Sequence, residues 1–379
     1  MTEGGSVTSQ PPTADTPASQ LDYLHGGLLP HEQYWHNRQP WLQERGYMLR
    51  PRYRTDWKPS WLGTDKYFGF CEDGRSTISP VIMDATKTSD GLHVTLKKVN
   101  TQVHPFEVEI GQFLSSEETT SNPRNYCARI LDVLPDPTEP NTTVIAMPLL
   151  KAFYDPDFVT IGEAVAFFKQ IIEGLHFMHK KHVAHRDISM LNVMMDATPM
   201  YPDLWHPQAT VYKRDFSGRA KHFSRTERPP KYFYIDFGLS RKYNSDDGQP
   251  QELPILGGDK TVPEFQEQGY DKPANPFRTD IYYLGNLMRT QFLNKYRGLD
   301  FVQPLVADMV QNDPEKRPTI EEVESRFDGI SCQLSWWQLR SRLVEKDENA
   351  LVRTVFGIGH IFRTAKYVIK RRPPVPLPP

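Results

Sequence analysis

The stretch HVAHRDISMLNVMMD, residues 182–196, constrains the fold more than any other part of this chain. It places His185, Arg186, Asp187 and Asn192 among apolar residues that are typical of a protein core. A buried carboxylate or guanidinium is strongly destabilising unless it finds a partner. We therefore expect a loop that presents an acid and an amide to one cleft and is held by well-packed neighbours.

A helix is expected directly before this stretch. Thr160 can cap it, Glu163 follows three residues later, and apolar residues then recur at helical spacing from Ile161 to Met178. Further helices are expected at residues 276–296, 301–311 and 319–326.

Strands are expected earlier in the chain, where apolar and polar residues alternate. The first pair is VIMDA (81–85) and HVTLKKV (93–99), separated by the turn-forming TKTSDG. The second pair is ARILDVL (128–134) and TTVIAMPLL (142–150), separated by PDPTEPN. The change of period predicts an α+β chain with a β-rich first part and a mainly helical C-terminal part.

Composition narrows the class of protein. The chain has 379 residues and a net charge of −2, which argues against a general nucleic-acid binder. Cys71, Cys127 and Cys332 are far apart and suggest neither a disulfide framework nor a zinc site. The first residues do not resemble a secretory signal, and VFGIGHIF is too short to span a bilayer. We expect a soluble intracellular protein, cytoplasmic or nuclear, with no transmembrane segment and no nucleic-acid partner.

Further motifs follow the first in a fixed order. YIDFG contains Asp236, and VPE (262–264), DIYYLG (280–285) and NDPEKRPT (312–319) come after it. Together with HRDISMLN, this ordered set resembles the eukaryotic protein kinase superfamily over about residues 67–330. Any one motif is weak, and the order makes the set specific. Four segments of the sequence resemble the kinase-like proteins of mushroom-forming fungi. They are NPRNYC, LDVLPDP, MPLL and RPRYRTDWKPSW.

The resemblance implies a two-lobed protein-kinase-like fold with a small β-rich N-lobe and a larger helical C-lobe. The domains that we predict are a disordered N-terminus (1–22), an aromatic-rich extension (23–66), an N-lobe (67–150), a C-lobe (151–345) with an insert at 198–231, and a basic, Pro-rich tail (346–379). We interpret the aromatic residues of the extension as packing residues rather than a binding cage.

Two of these segments are basic. The insert holds seven Lys or Arg against three Asp or Glu, and we interpret it as tolerated surface rather than as a screen for substrates. In the tail, Lys370, Pro373 and Pro376 fit a pattern that SH3-type domains bind. The basic segment before them is expected to be a solvated face rather than a membrane contact.

The catalytic roles that the resemblance implies fall on the first motifs. Asp187 would accept or orient the proton of the substrate hydroxyl, and Asn192 and Asp236 would hold the two Mg²⁺ ions that bridge the phosphates of ATP. His185 is interpreted as a packing residue. Arg186 has two open roles, as the partner of an activation-segment phosphate or as a structural ion-pair partner.

Other roles follow from the same resemblance. Lys97 stands where the family has the lysine of VAIK, with Lys98 beside it, and a solvated strand lysine is the alternative reading. EVEIGQFL nominates Glu109 as the partner of Lys97, with Glu117 as the alternative. The residues that would surround the adenine are Ile82, Ala85, Met147, Pro148 and Leu150. The residues with structural roles would be Glu264, Asp280 and Arg317.

The pattern also has departures. The three glycines of the family's phosphate-covering loop fall on Arg75, Thr77 and Pro80, so ATP is expected to bind weakly unless Arg75 pairs with phosphate. Ser189 replaces a lysine, and Gly257 replaces a threonine that would partner it. The hydroxyls of the activation segment that could be phosphorylated are Ser240, Ser245 and Thr261.

Three functions remain open on the sequence. The first is a protein kinase that transfers the γ-phosphate of ATP to a Ser or Thr hydroxyl of a protein substrate. The second is a catalytically weak or inactive kinase-fold scaffold that binds nucleotide and partner proteins. A small-molecule phosphotransferase is least favoured, because the arginine of HRD, VPE and DPEKRPT resemble protein kinases.

Overall fold

The structure is a computed structural model that describes residues 26–244, 246, 248–255, 258–266 and 271–378. The predicted disorder of residues 1–22 lies outside the described residues. The chain forms two compact units. Unit 1 comprises the residues up to 98 together with 201–221, and unit 2 comprises residues 99–200 and those from 222 onward. Each unit contains strands and helices, so the α+β class is confirmed.

Unit 1 is built on an antiparallel arrangement of short strands. Its elements are α1 (Gln33–Glu44), β1 (Tyr47–Leu49), β2 (Ile82–Lys87) and β3 (His93–Asn100). β2 pairs with both β1 and β3, and the register places Ile82 opposite Lys97 and Ala85 opposite Val94. The turn between β2 and β3 has Gly91 at a φ of 74°, which glycine adopts without strain.

The aromatic-rich extension packs into unit 1. Trp35 and Tyr53 are fully buried, and Trp61 is nearly so. The buried Arg52 guanidinium donates to both carboxylate oxygens of Glu32, at 2.7 and 2.8 Å. This arrangement agrees with packing rather than with an exposed binding cage.

The centre of the insert also belongs to unit 1. Trp205 and His206 are buried, and Arg214 Nη2 lies 3.2 Å from Asp84 Oδ2 on β2. The interpretation of the insert as tolerated surface is therefore wrong for residues 201–221. That interpretation relied on the lack of periodicity in the segment. The structure shows that the segment nevertheless contributes large apolar rings and a guanidinium to the packing of unit 1.

The strands of unit 2 form several small antiparallel groups. They are β4 (Asp132–Pro135), β5 (Thr142–Pro148), β6 (Lys151–Ala152), β7 (Val183–Ala184), β8 (Val193–Asp196), β9 (Lys231–Tyr234), β10 (Arg241–Lys242), β11 (Tyr296–Arg297) and β12 (Val344–Glu345). β4 pairs with β5, β8 lies between β6 and β9, β7 pairs with β10, and β11 pairs with β12. The strand predicted over residues 128–134 begins only at Asp132.

The helices of unit 2 include one long buried helix, Ile161–Lys180. They are α2 (Glu107–Leu114), α3 (Glu117–Thr120), α4 (Ile161–Lys180), α5 (Pro276–Met288), α6 (Gln303–Met309), α7 (Ile320–Gln333), α8 (Trp336–Arg340) and α9 (Ala350–Ile369). Thr160 Oγ1 caps α4 by accepting from the backbone N–H of Glu163, as the sequence predicts. The helix predicted over 276–296 continues past α5 as a π-helical turn, Arg289–Leu293.

Candidate active site

The loop between β7 and β8 holds the acid and the amide of the first motif together. Asn192 Nδ2 donates to the Asp187 carboxylate and to the Asp187 carbonyl oxygen, each at 2.9 Å. This pair of hydrogen bonds fixes the orientation of both side chains. Because the nitrogen of the carboxamide is turned toward Asp187, its oxygen is turned away from that carboxylate.

A buried carboxylate on α5 braces the same loop. Asp280 is fully buried and accepts from the backbone N–H groups of His185, at 2.8 Å, and Arg186, at 2.7 Å. Arg186 has a φ of 66°, a left-handed conformation that costs energy for a residue other than glycine. His185 is buried, and its Nε2 lies 3.0 Å from the Ile235 carbonyl oxygen. These contacts match the packing role proposed for His185 and the bracing role proposed for Asp280.

A second carboxylate lies beside this loop, directly after β9. Asp236 adopts a left-handed φ of 63°, and its Oδ1 accepts from the backbone N–H of Gly238 at 3.3 Å. Burial raises the pKa of the Asp187 carboxyl, and the charge of Asp236 adds to the rise. Two carboxylates that raise each other's cost of ionisation are typical of a site that receives a cation.

The donor set can be tested for its fit to Mg²⁺. Carboxylate and carboxamide oxygens are hard ligands, and Mg²⁺ usually takes one or two protein carboxylates and completes its shell with phosphate and water. Asp236 and Asn192 offer such oxygens. Among the described residues, no group of three or more His, Cys, Asp or Glu side chains could hold a metal. The residues present therefore fit a Mg²⁺ shared with phosphate rather than a closed protein site.

The glutamate that lies beside this cluster is Glu107, which the sequence reasoning missed. Glu107 is buried on α2, and a Cβ at Gly238 would lie 3.1 Å from its Oε2 and 3.2 Å from Asp236 Oδ1. Glu109, which the sequence nominated, is exposed on the same helix, and Glu117 is exposed on α3. The helical period explains the miss, because residues two positions apart point in directions about 200° apart.

Arg186 forms an ion pair with Glu252, which lies between Asp236 and Glu264 in the sequence. Its guanidinium lies 3.2 Å from Glu252 Oε2 and donates to the carbonyl oxygens of Leu239 and Leu253. Ser240 is fully buried, and its hydroxyl donates to the His185 carbonyl oxygen at 3.0 Å. Thr261 Oγ1 donates to Asp259 at 2.7 Å. The predicted positions Ser245 and Gly257 lie outside the described residues.

Two further residues of unit 2, Arg317 and Tyr283, have defined surroundings in the structure. Arg317 is buried and forms a bidentate pair with Glu264, at 2.7 and 2.6 Å. Tyr283 on α5 was not singled out from the sequence. A Cβ at Gly258 would lie 2.9 Å from the Tyr283 hydroxyl and 3.5 Å from Asp187 Oδ1, so this phenol belongs to the surroundings of the acid. The spacing of apolar residues around Tyr283 predicts a helix, but it does not predict that the phenol lies near Asp187.

The predicted nucleotide residues of unit 1 lie on its strands. Lys97 is on β3 opposite Ile82, Ala85 is buried on β2, and the Lys98 ammonium lies 3.8 Å from the centroid of the Tyr34 ring. In unit 2, Met147 and Pro148 end β5 and Leu150 follows it, and all three are half-buried.

The segment that replaces the glycine-rich loop connects β1 to β2 over residues 50–81. Arg75 Nη2 donates to the Gly69 carbonyl oxygen at 2.5 Å, and its guanidinium lies over the Phe216 ring. The backbone N–H of Thr77 donates to the Tyr53 hydroxyl at 2.8 Å. Arg75 and Thr77 therefore both make contacts within unit 1, and these contacts do not involve phosphate.

The Pro-rich tail lies against the body of unit 2. Pro376 is buried, and the Pro374 carbonyl oxygen occupies the space that a Cβ at Gly162 would need. An SH3-type partner would have to displace these residues, so that call stays a prediction. No helix in the described part of the chain is long and apolar enough to cross a membrane.

Comparison with known proteins gives distant relatives. No protein-family model matches the chain. The serine/threonine-protein kinase SRK2C of Arabidopsis thaliana is 24% identical over 50% of this chain and 51% of its own length. SRK2E of the same plant is 25% identical, over 43% and 44%, and SAPK4 of Oryza sativa subsp. japonica is 24% identical, over 43% and 44%. The chain spans about half the length of the curated relatives that it matches. These similarities support a relation to the protein kinase superfamily, and the fungal resemblance stays a prediction.

Proposed function

We propose that this chain is an ATP- and Mg²⁺-dependent protein kinase that transfers the γ-phosphate to a Ser or Thr hydroxyl of a protein. The observation that carries the proposal is the cluster of unit 2, in which Asp187 is fixed by Asn192 and lies near Asp236. Each of these three residues was nominated by its place in an ordered motif. Relatives that are serine/threonine kinases support the same class of reaction.

Each residue of the cluster has a role that follows from its contacts. Asp187 orients the acceptor hydroxyl and takes its proton, which its raised pKa favours. Asn192 and Asp236 would hold the Mg²⁺ through their side-chain oxygens. When bound, Mg²⁺ offsets the charge of the triphosphate. Asp280 keeps the loop in its left-handed turn, so that the acid does not have to be ordered anew at each turnover.

The proposal assigns Lys97 to the α- and β-phosphates. Within unit 2 it favours Glu107 over Glu109 as the acidic residue of the site, because Glu107 is the buried glutamate beside Gly238. The adenine would be surrounded by Ile82, Ala85, Met147, Pro148 and Leu150.

A kinase-fold scaffold that binds nucleotide without efficient turnover is the second candidate. The observation that favours it is the segment before β2, where Arg75 and Thr77 are engaged by Gly69, Phe216 and Tyr53. Backbone N–H groups that are used inside the protein cannot also cover phosphates. Ser189 in place of a lysine points the same way.

Phosphate transfer from labelled ATP to a mixture of Ser- and Thr-containing proteins, with Mg²⁺, separates the two candidates. The kinase is supported if the parent chain transfers phosphate and Asp187→Asn loses on the order of 10²-fold or more in turnover. Asp90→Asn, in an exposed turn of unit 1, is the matched control and should turn over like the parent. Mg²⁺-dependent ATP binding that is lost in Asp236→Ala, without any transfer by the parent, would instead establish the scaffold.

A further inference from the structure

The helix α9 exposes an unusual apolar face. Leu351, Val355, Ile358, Phe362 and Ile369 are exposed by 76, 58, 55, 73 and 81%. Their spacing places them on one stripe of the helix, which runs for about 27 Å at 1.5 Å per residue. Ile361 and Val368 border the stripe and are also exposed. Monomeric proteins rarely leave such a contiguous apolar surface without a use for it.

The opposite side of α9 is fixed to unit 2 by specific contacts. Tyr367 is almost fully buried, and its hydroxyl donates to Ser224 Oγ at 2.7 Å. His360 Nε2, on the same side, lies 2.8 Å from the Arg340 carbonyl oxygen. Lys366, which lies nearer the stripe, pairs with Glu227 at 2.7 Å. Tyr367 lies about 160° around the helix from Leu351. The anchored side thus points the apolar stripe away from the body of its own unit.

The charge of this region identifies the kind of partner. Residues 350–378 hold six Lys or Arg and no Asp or Glu. Arg363, Lys366 and Lys370 follow one flank of the stripe, and all three are exposed. Long basic side chains beside an apolar stripe can extend their charge to the polar surface of a bilayer while the stripe enters it. A second copy of the helix would bring cations against cations, which disfavours self-association.

Two exposed tryptophans lie near the anchored side of α9, away from the apolar stripe. Trp336 and Trp337 on α8 are exposed by 39 and 73%. The Arg340 guanidinium lies over Trp336 at 5.3 Å and near Tyr367 at 5.9 Å, so the two tryptophans are close to α9.

We propose that α9 binds flat on the surface of an anionic lipid bilayer, with its apolar stripe entering the headgroup boundary. The expectation of a merely solvated basic face is replaced, because a solvated face would not expose five large apolar residues in register. The helix cannot cross a membrane, which agrees with a surface contact. The proposal does not depend on phosphate transfer.

Co-sedimentation of the full chain with phosphatidylcholine vesicles, with and without phosphatidylserine, tests this proposal. The expected result is binding that requires phosphatidylserine and weakens as salt is raised. Ile358→Gln combined with Phe362→Gln should lower the partition coefficient by about tenfold or more, because both side chains leave the stripe. Arg363→Gln combined with Lys370→Gln should lower the preference for phosphatidylserine.

The matched control is Ile78→Gln combined with Val211→Gln, which removes two equally exposed apolar residues of unit 1. It should bind vesicles like the parent, and all variants should melt at the same temperature, because the changed residues are exposed. Absence of binding to phosphatidylserine vesicles, or equal binding by the stripe variant, overturns the proposal. So does a parent dimer in light scattering that the stripe variant turns into a monomer without any vesicle binding.

Discussion

Asp187 in unit 2 and Asp84 in unit 1 each lie in a cluster of polar and charged side chains. The two clusters differ in the charges that surround the carboxylate. In unit 2, the half-buried side chains of Asp187, Asn192 and Asp236 are held by backbone donors and one carboxamide, and the pKa of Asp187 is raised, first by burial. In unit 1, Asp84 is 3% exposed and lies between Arg50, at 3.0 Å, and Arg214, at 3.2 Å. Although burial opposes it, these guanidinium groups lower the pKa of Asp84. An acid kept near a like charge is suited to chemistry, and an acid neutralised on two sides is suited to structure.

The difference coincides with which of the expected motifs this sequence contains. Where the motifs persist, their polar groups are arranged around Asp187. Where the glycines are missing, residues 50–81 and the centre of the insert form a packed region joined by buried ion pairs. The comparison predicts that changes in the first region affect turnover and that changes in the second affect stability.

The largest change in stability is expected from Asp84→Ala. It leaves the buried Arg50 guanidinium and the half-buried Arg214 guanidinium without their shared carboxylate, which should cost about 3–5 kcal/mol in the free energy of unfolding. Urea unfolding followed by tryptophan fluorescence measures it. Asp90→Ala, in an exposed turn, is the control and should cost less than about 1 kcal/mol. An equal effect of the two changes would mean that the Asp84 cluster is not structural.

The next largest effect is expected at neighbouring lysines of β3. Lys97→Met should lower turnover by on the order of 10²-fold, because it removes a fixed cation from the phosphates. Lys98→Met should keep turnover and lose about 0.5–1 kcal/mol of stability, because its contact with the Tyr34 ring is removed. Steady-state phosphate transfer and thermal melting of both variants separate the roles. The assignment is wrong if Lys98→Met is the inactive one.

The two glutamates of α2 sharpen the same comparison within one helix. Glu107→Gln should lower turnover by about tenfold or more, since it changes the charge beside Gly238 and Asp236. Glu109→Gln, on the exposed side, should leave turnover unchanged. Parallel kinetic assays with both variants decide between the buried glutamate and the one that the sequence nominated.

Acid should weaken unit 1 through Asp84. Because the folded pKa of this carboxyl lies below its unfolded value, its contribution to stability is present above about pH 4 and is lost as the pH falls through the folded pKa. The unfolding free energy should therefore decline from about pH 4 downward. Asp84→Asn should remove part of that decline, and urea titrations of both proteins at several acidic pH values measure the difference.

The smallest effect is expected at a local feature of unit 2, the cap of α4. Thr160→Ala removes the acceptor for the Glu163 N–H and should cost about 1 kcal/mol, whereas Thr160→Ser should retain most of it. Thermal melting of the two variants checks this. A loss equal to that of Asp84→Ala would show that the cap is coupled to far more than its own helix turn.

The sequence by itself predicted the features that depend on residues close together along the chain. Order of motifs nominated Asp187, Asn192 and Asp236, and helical spacing with a capping threonine predicted α4, because these signals depend on neighbours a few residues apart. The nomination of Glu109 stays a prediction. The structure shows that Glu109 is exposed and Glu107 is buried, because which side of a short helix is buried depends on what packs against it.

Tertiary structure alone decided the rest. It brought residues 201–221 into the core of unit 1, so that Arg214 meets Asp84 across 130 positions of sequence. It also turned the apolar stripe of α9 outward by anchoring Tyr367 on Ser224. The pairing of distant residues is set by the whole packed arrangement, and no periodicity or spacing within a segment encodes it.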